Sequence, residues 1–406
     1  MNDERRKTAD DRLIARPPLP ELPGEHDPKL VRLHDIESAS SVLRDAARTK
    51  QAGFTSERIP RWMFARRPIL IDDGETHDRH RRELTRFFAP QVLERRHGEF
   101  IREAARERVV RARESGGCLV DQLALLYSVT VASRIVGLTE SPADQLAKRL
   151  TRFFEQPPVD HTKLGHGRTS GQWAAAARRA LLPLLSFHLR DVRPAIRRRR
   201  RRRDDDIISF LLDRGYRSRE ILMECLTYGT AGMVTTREFI CAAFWHLTSD
   251  AALRERYLGA DERTRHRILH EIIRIEPPVG HLYRRVTGAA PSSEGGGAPE
   301  GCPYAPGTLI DVDVREANLD PGRFGERPGS IRPDRELRAS ERSGLSFGDG
   351  SHRCPGAPLA MIETDALLLE LCRAGPIVLS EPVVEWDTLL EGYQLRGFRV
   401  GFPEAG

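Results

Sequence analysis

A cysteine, Cys354, stands in the run Phe347-Gly348-Asp349-Gly350-Ser351-His352-Arg353-Cys354-Pro355-Gly356, just ahead of an apolar helical stretch from Leu359 to Leu371. Three glycines around one thiol let the backbone turn in ways closed to other residues and approach a flat ligand closely. The helix behind the loop points its N-terminal dipole at the sulfur, which favours a thiolate. A thiolate with room for a planar group is how a protein holds haem iron for oxygen activation. The plain alternative is a glycine-rich turn around a small core cysteine. Three further groupings could do chemistry. Glu271 and Arg274, three apart on a helix, can pair. His77 and Arg81, four apart, share a helix face. Thr235 follows the small-residue patch Gly229-Thr230-Ala231-Gly232 in mid-helix. There its hydroxyl either holds water or bonds a carbonyl one turn back.

The elements that must position these residues read as mostly helical. Apolar residues recur at helical spacing from about Thr76 to Arg96 and through a long region near 97–155. A polar break at 156–172 is followed by helix from Trp173 to about Val192. Long helical patterns cover 218–248 and about 261–275. Residues 276–345 change character, with alternation at 309–314 that predicts a strand, and 376–403 read as short strands. Residues 1–30, with five prolines, predict an extended, poorly ordered arm, and 31–406 a single domain. The segment 292–301 is glycine-rich and predicts a surface loop. Arg197–Arg203, seven arginines answered by Asp204–Asp206, predicts a solvated interhelical segment, a polyanion site being the other reading.

The chain has 406 residues, 39% of them hydrophobic, with 65 basic and 59 acidic residues for a net +6. That length supports a large core, and the charge is only mildly basic. Six cysteines at 118, 225, 241, 302, 354 and 372 show no paired spacing, so neither a disulfide framework nor a zinc site is expected. A reducing, cytoplasmic setting fits such usage. The charged, proline-bearing start is unlike a signal peptide, and no uncharged stretch approaches a membrane span, so a soluble protein is expected. No Gly-x-Gly-x-x-Gly after a strand and no phosphate loop appears, which argues against a built-in nucleotide-binding reductase.

The cysteine loop resembles the haem-ligating loop of the cytochrome P450 family at Phe347, Gly348, Gly350, His352, Cys354 and Gly356. The resemblance runs from about residue 30 to 403, with motifs in the family's order. It implies a mainly α fold with a minor β region, a large helical part plus small β-sheets. It implies haem b (heme, iron protoporphyrin IX) ligated by Cys354, with His77, Arg81, Arg284 and His352 seating the propionates, Arg285 being the competitor of Arg284. Glu271 and Arg274 are similar to the family's structural Glu-x-x-Arg pair, completed by a later arginine: Arg335, with Arg332 and Arg338 as rivals. Ala231 to Thr236 resembles the oxygen-binding segment, in which Ala231 lets the helix pass close to the haem and Thr235 manages protons.

The chain departs from the family where Val234 replaces the usual acid before the threonine; substrate groups, a water chain or Glu238 are the candidate replacements. Positional likeness makes Thr227, Thr230, Val234, Gly280, His281, Leu282 and Phe398 candidate substrate contacts, His281 as a hydrogen-bonder of a polar substrate. Residues 50–72 and 156–175 are the expected lids. The activity implied is that of a soluble, bacterial-type monooxygenase of secondary metabolism, inserting one atom of O2 into a small-molecule substrate. Its electrons would come from a ferredoxin or flavodoxin with its NAD(P)H reductase, attracted by arginines 79, 81, 82, 86, 95, 96 and 353. No nucleic-acid or membrane partner is expected. The alternatives are a biosynthetic oxidation without oxygen insertion, suggested by Val234, and a haem sensor or carrier.

Overall fold

The computed structural model describes residues 11–18, 21–59, 66–288 and 302–403. The first helices are α1 (Ile36–Arg44), α2 (Glu75–Phe88), α3 (Pro90–Glu114), α4 (Val120–Val136) and α5 (Ala143–Thr151). Then follow α6 (Ser170–Phe187), α7 (Arg193–Arg201), α8 (Ile207–Asp213), α9 (Ser218–Ser249), α10 (Ala251–Gly259) and α11 (Glu262–Ile275). Two short turns, α12 (Val314–Ala317) and α13 (Pro321–Phe324), precede α14 (Ala357–Arg373). The core lies where α4 and α14 pack on the 32-residue α9, α14 also resting on α3. Apolar residues of α9 such as Cys225, Met233, Ile240, Phe244 and Leu247 are buried there.

Among the described residues nine strands form three small sheets. One has the order β1 (Leu30–Leu33), β5 (Leu309–Asp313), β4 (His281–Val286), β2 (Thr49–Gln51), parallel only between β1 and β5. The second joins β3 (Gly117–Leu119), β9 (Arg399–Gly401) and β6 (Ile377–Ser380), and β7 (Val383–Asp387) with β8 (Gly392–Arg396) makes a hairpin. The mainly helical class with small sheets is therefore observed.

Several boundaries differ from the periodicity, for local reasons. The helix expected over 76–96 breaks at Ala89, whose extended backbone precedes Pro90 at the start of α3; the residue before a proline is driven out of the helical region. The region 97–155 is three helices, ended at Gly116 and Gly137, whose φ of 72° and 97° suit glycine. Thr169 and Gln172 form a reciprocal capping box that starts α6 earlier than Trp173. The arginine run is a correction. It is helical through Arg201, arginine being a good helix former. Arg199 is buried at 3% exposure, where its guanidinium meets Asp206.

The described part of the N-terminal arm is extended, but it docks: Ile14 is buried, and the backbone N–H groups of Leu13 and Ile14 donate to Glu276 Oε1. The loop 292–301, the first ten residues of the arm and residues 60–65 of one expected lid lie outside the described residues.

Candidate functional site

The loop around Cys354 is shaped by glycines, of which Gly350 leaves no room for a side chain. Gly348 and Gly350 have φ of 67° and 66°, and a Cβ on Gly350 would stand 2.2 Å from the carbonyl oxygen of Leu43. The Cys354 N–H donates to the Phe347 carbonyl at 2.7 Å, closing the loop, while Phe347 packs partly into the core. A Cβ on Gly356 would lie 3.8 Å from Cys354 Sγ, in ordinary contact distance.

Cys354 is exposed, unlike four of the other five cysteines, which are buried. Yet it lies deep. Burial is the largest influence on its thiol and pushes the pKa up, while the backbone N–H groups of Gly356 and Ala357 and the guanidiniums of Arg81 and Arg353 pull it down. A thiol that has open space before it and dense protein around it sits on the floor of a hollow. The middle of α9 has the matching character. Thr227, Thr230 and Thr235 are half-exposed and Ala231 is exposed, in a helix otherwise largely buried. Their spacing of three, four and eight puts them on one side of the helix.

Basic groups gather at the end of this region. His77 is buried, and its ring stacks on His352 at 4.2 Å. His352 Nε2 is 3.1 Å from Asp73 Oδ1, and burial lowers its pKa to about 4 against the pull of Asp73. Arg81 donates to the Arg353 carbonyl. Arg284 is buried, donates to Gln51 Oε1 and the Tyr283 carbonyl, and has its pKa lowered by burial to about 10, with Asp73 the carboxylate that opposes the shift. A buried cation held mainly by neutral acceptors is costly unless an anion joins it. Arg285 points elsewhere, to Asp27 at 2.7 Å and Glu57 at 3.0 Å. Of the two neighbours, Arg284 is thus the one left for a ligand. An open thiol on a glycine-cleared floor, with buried cations at its margin, is a donor set that fits haem.

Arg274 grips Glu271 through two bonds of 2.9 Å, and Arg335 Nε donates to Glu271 Oε2 at 2.9 Å. Arg332 reaches Glu271 only through its backbone N–H, at 3.0 Å. Arg335 is therefore the arginine that the fold brings to the pair.

Val234 is 1% exposed, although its spacing of seven from Thr227 keeps it on the same side of α9, and Phe398 is fully buried against Phe244. Side chains alternate along β4. Leu282 lies by Gly348 of the cysteine loop, on the same side as Arg284, whereas His281 faces the other way. There it bonds Asp311 at 2.7 Å and lines a cavity of about 110 Å³ with Tyr283 and Trp386. Burial alone would lower the His281 pKa, but Asp311, with Glu391 and Asp313 beyond it, raises it. Gly280 is buried against Glu391, whose carbonyl a Cβ would meet at 2.4 Å. Glu238 is also spoken for. It is buried, paired with Arg237 at 2.6 Å and Arg396 at 2.9 Å, and accepts from the Leu395 N–H. It is no substitute for an acid at 234.

Thr235 donates to the Ala231 carbonyl at 2.6 Å, which leaves its oxygen lone pairs for a water. The side chain that sequence reasoning missed is Glu363. It is 1% exposed on α14, nine residues after Cys354; burial pushes its carboxyl pKa well above the usual value, against a hydrogen bond from Thr236. It stands beside Thr236, the residue next to Thr235. Its only sequence signal is a glutamate among the apolar residues of the stretch Leu359–Leu371.

No family model matches the chain. Cytochrome P450 144 of Mycobacterium tuberculosis is 24% identical over 329 residues, 78% of this chain and 69% of that protein. Erythromycin C-12 hydroxylase of Saccharopolyspora erythraea is 25% identical over 326 residues, 74% and 70% of the two chains. Among solved structures, a mutant of P450 EryK in complex with erythromycin B superposes with a TM-score of 0.74 at 21% identity, covering 95% of this chain and 94% of that one. CYP109B1 of Bacillus subtilis gives 0.73 at 19% identity, covering 94% and 96%.

Proposed function

Because the chain is a member of the cytochrome P450 family, and an oxidoreductase of that kind, we propose that it inserts one atom of O2 into a small organic substrate of secondary metabolism. The electrons would come from a ferredoxin or flavodoxin with its NAD(P)H reductase. The observation that carries this reading is Cys354, an open thiol held deep in the molecule by a glycine-rich loop in which Gly350 leaves no room for a side chain. Haem b bound there would supply oxygen activation, the thiolate pushing electron density that favours O–O cleavage. Arg284, Arg81, His77 and His352 would hold its two carboxylates by charge-assisted hydrogen bonds.

The remaining work falls to side chains of this chain. Thr235 keeps its lone pairs for a water while its own proton is tied to Ala231. Glu363 stands beside Thr236 with burial favouring its protonated carboxyl, and is the acid on hand where Val234 has none. Thr227 and Thr230 spend their hydroxyl protons on carbonyls one turn back, at 3.0 and 2.8 Å, and so offer methyl groups and lone pairs to a substrate. Together with Leu282 that is a mixed apolar and acceptor surface, suited to a hydroxyl-bearing hydrocarbon skeleton. The relative named as an erythromycin hydroxylase and the neighbour holding erythromycin B support a secondary-metabolite substrate. Six free cysteines support a reducing, cytoplasmic setting.

The apolar Val234 beside Thr235 favours a second reading, an oxidation that forms a bond or ring without inserting oxygen. Titrating the ferric holoprotein with macrolactone, aromatic and peptide compounds tests the first reading. A compound that drives low-spin haem to high-spin names the substrate class. Product carrying label from isotopic O2 supports insertion, and unlabelled product the second reading. Failure of the purified protein to retain haem overturns both.

A further inference from the structure

Residues 170–206 contain eleven arginines and four aspartates, a net +7 against +6 for the whole chain, so everything else sums to −1. The same segment carries the largest run of bare leucines in the described structure. Leu181, Leu182, Leu185 and Leu189 are 62%, 72%, 49% and 45% exposed. They fall at spacings of one, four and eight along α6 and the π turn that follows it at His188–Val192, and so project to one side. The opposite side of α6 is apolar as well, with Ala176 and Phe187 buried. One apolar side of α6 is thus enclosed and the leucine side is left uncovered.

Arginines frame the leucines. Arg178 and Arg179 lie one turn before them, Arg190 and Arg193 just after, and α7 continues with exposed guanidiniums at 197, 200 and 201. Among the described residues none of these seven is paired with a carboxylate, whereas Arg198, Arg199 and Arg203 of the same run are. The unpaired charge is therefore selective.

We propose that the α6–α7 face docks reversibly on an anionic lipid surface, the leucines entering the headgroup boundary and the framing arginines meeting lipid phosphates. A second copy of the chain is disfavoured, since a two-fold contact would set equal basic patches against each other. An acidic protein would match the charge. However, four leucines standing on a convex helix offer neither a pocket nor an aromatic anchor, and leucine is under-represented among residues that carry protein interfaces. A fluid apolar layer under anionic headgroups needs no shape match: binding grows with apolar area and with basic charge. The docking is peripheral, since no helix among the described residues is long and apolar enough to cross a membrane.

The test is co-sedimentation of the full-length holoprotein with sucrose-loaded vesicles of phosphatidylcholine alone, and of equal parts phosphatidylcholine and phosphatidylglycerol. Binding to the mixed vesicles at least about tenfold tighter than to neutral ones, falling with salt, is expected. Leu182→Gln with Leu185→Gln should weaken it about tenfold or more, and Arg197→Gln with Arg201→Gln should remove much of the salt dependence. All four positions are exposed, so the variants keep the wild-type melting temperature. Absence of binding to the mixed vesicles overturns the proposal, as does binding that the leucine variants leave unchanged. Capture by an immobilised acidic ferredoxin with no vesicle binding overturns it in favour of a protein partner.

Discussion

Two carboxyls show how single residues in this fold are set by burial rather than by type. Burial pushes the pKa of the Glu363 carboxyl well above its usual value, beside Thr236. Glu363→Gln keeps a hydrogen-bonding partner for Thr236 but has no proton to give, and removing a positioned proton donor typically costs about 10²–10⁴-fold. Turnover with substrate should fall by about tenfold or more while peroxide release rises, and the protein should lose an infrared band of a protonated carboxyl. Unchanged coupling would remove Glu363 from the proton supply. Glu224 is the second case. Burial raises its pKa to about 8, and its neighbour His80, 3.7 Å away, is lowered to about 4. At neutral pH this contact joins two neutral groups rather than an ion pair. The folded protein keeps a proton on Glu224 between its unfolded pKa near 4.5 and about 8, where the unfolded chain has released it, so stability falls as pH rises through that window. Glu224→Gln removes the loss, and its gain in melting temperature over wild type should be larger at about pH 8 than at about pH 5. For His80 the sign reverses, its share being lost as pH falls from 6.5 towards 4. Cys354 was legible in sequence because glycines and a thiol at fixed offsets have few other uses. Glu363 and Glu224 were not, since nothing in a linear pattern says which acids will lose water.

At the scale of elements, the long helix and the ion-paired one were legible because periodicity over many residues outweighs local noise. α9 spans Ser218–Ser249 and α11 Glu262–Ile275, close to the expected 218–248 and 261–275. Boundaries set by one backbone angle, at Ala89, Gly116 and Gly137, were not. Nor were facings that follow from strand pairing: β4 runs between β5 and β2, and only that placement decides that Leu282 meets the cysteine loop while His281 joins Asp311. The Glu271–Arg274–Arg335 cluster ties α11 to the irregular segment before the cysteine loop, Arg335 also donating to the Phe324 carbonyl. Both the arginine and the acid are nearly enclosed. Breaking a buried pair by removing one partner costs about 3–5 kcal/mol. Arg335→Met should land near the lower figure, because Arg274 still holds Glu271, and Glu271→Gln near the upper. Denaturant midpoints would check the order, and equal, small losses would mean that the cluster is not what pins the segment.

The whole molecule divides its positive charge between two faces, which a net +6 conceals. One is the α6–α7 face. The other is around α2 and the start of α3, where Arg79, Arg82, Arg86 and Arg95 are exposed, with Arg81 and Arg353 beside Cys354. The two approach each other where Arg96 pairs with Asp205 at the end of the arginine run, so that a mobile acidic protein would feel both. Steering by such fields acts on the association rate and fades with salt. If electrons enter on the α2 side, Arg79→Glu with Arg82→Glu should slow reduction by an acidic ferredoxin about tenfold at low salt, with little difference from wild type at high salt. The Arg197→Gln, Arg201→Gln variant should be slowed less, because it leaves the arginines beside Cys354 in place. Stopped-flow reduction of both variants across a salt series separates the faces. Equal slowing by the two would mean that the arginine run shares in docking the reductant, and its excess charge would then have a protein as well as a lipid to answer to.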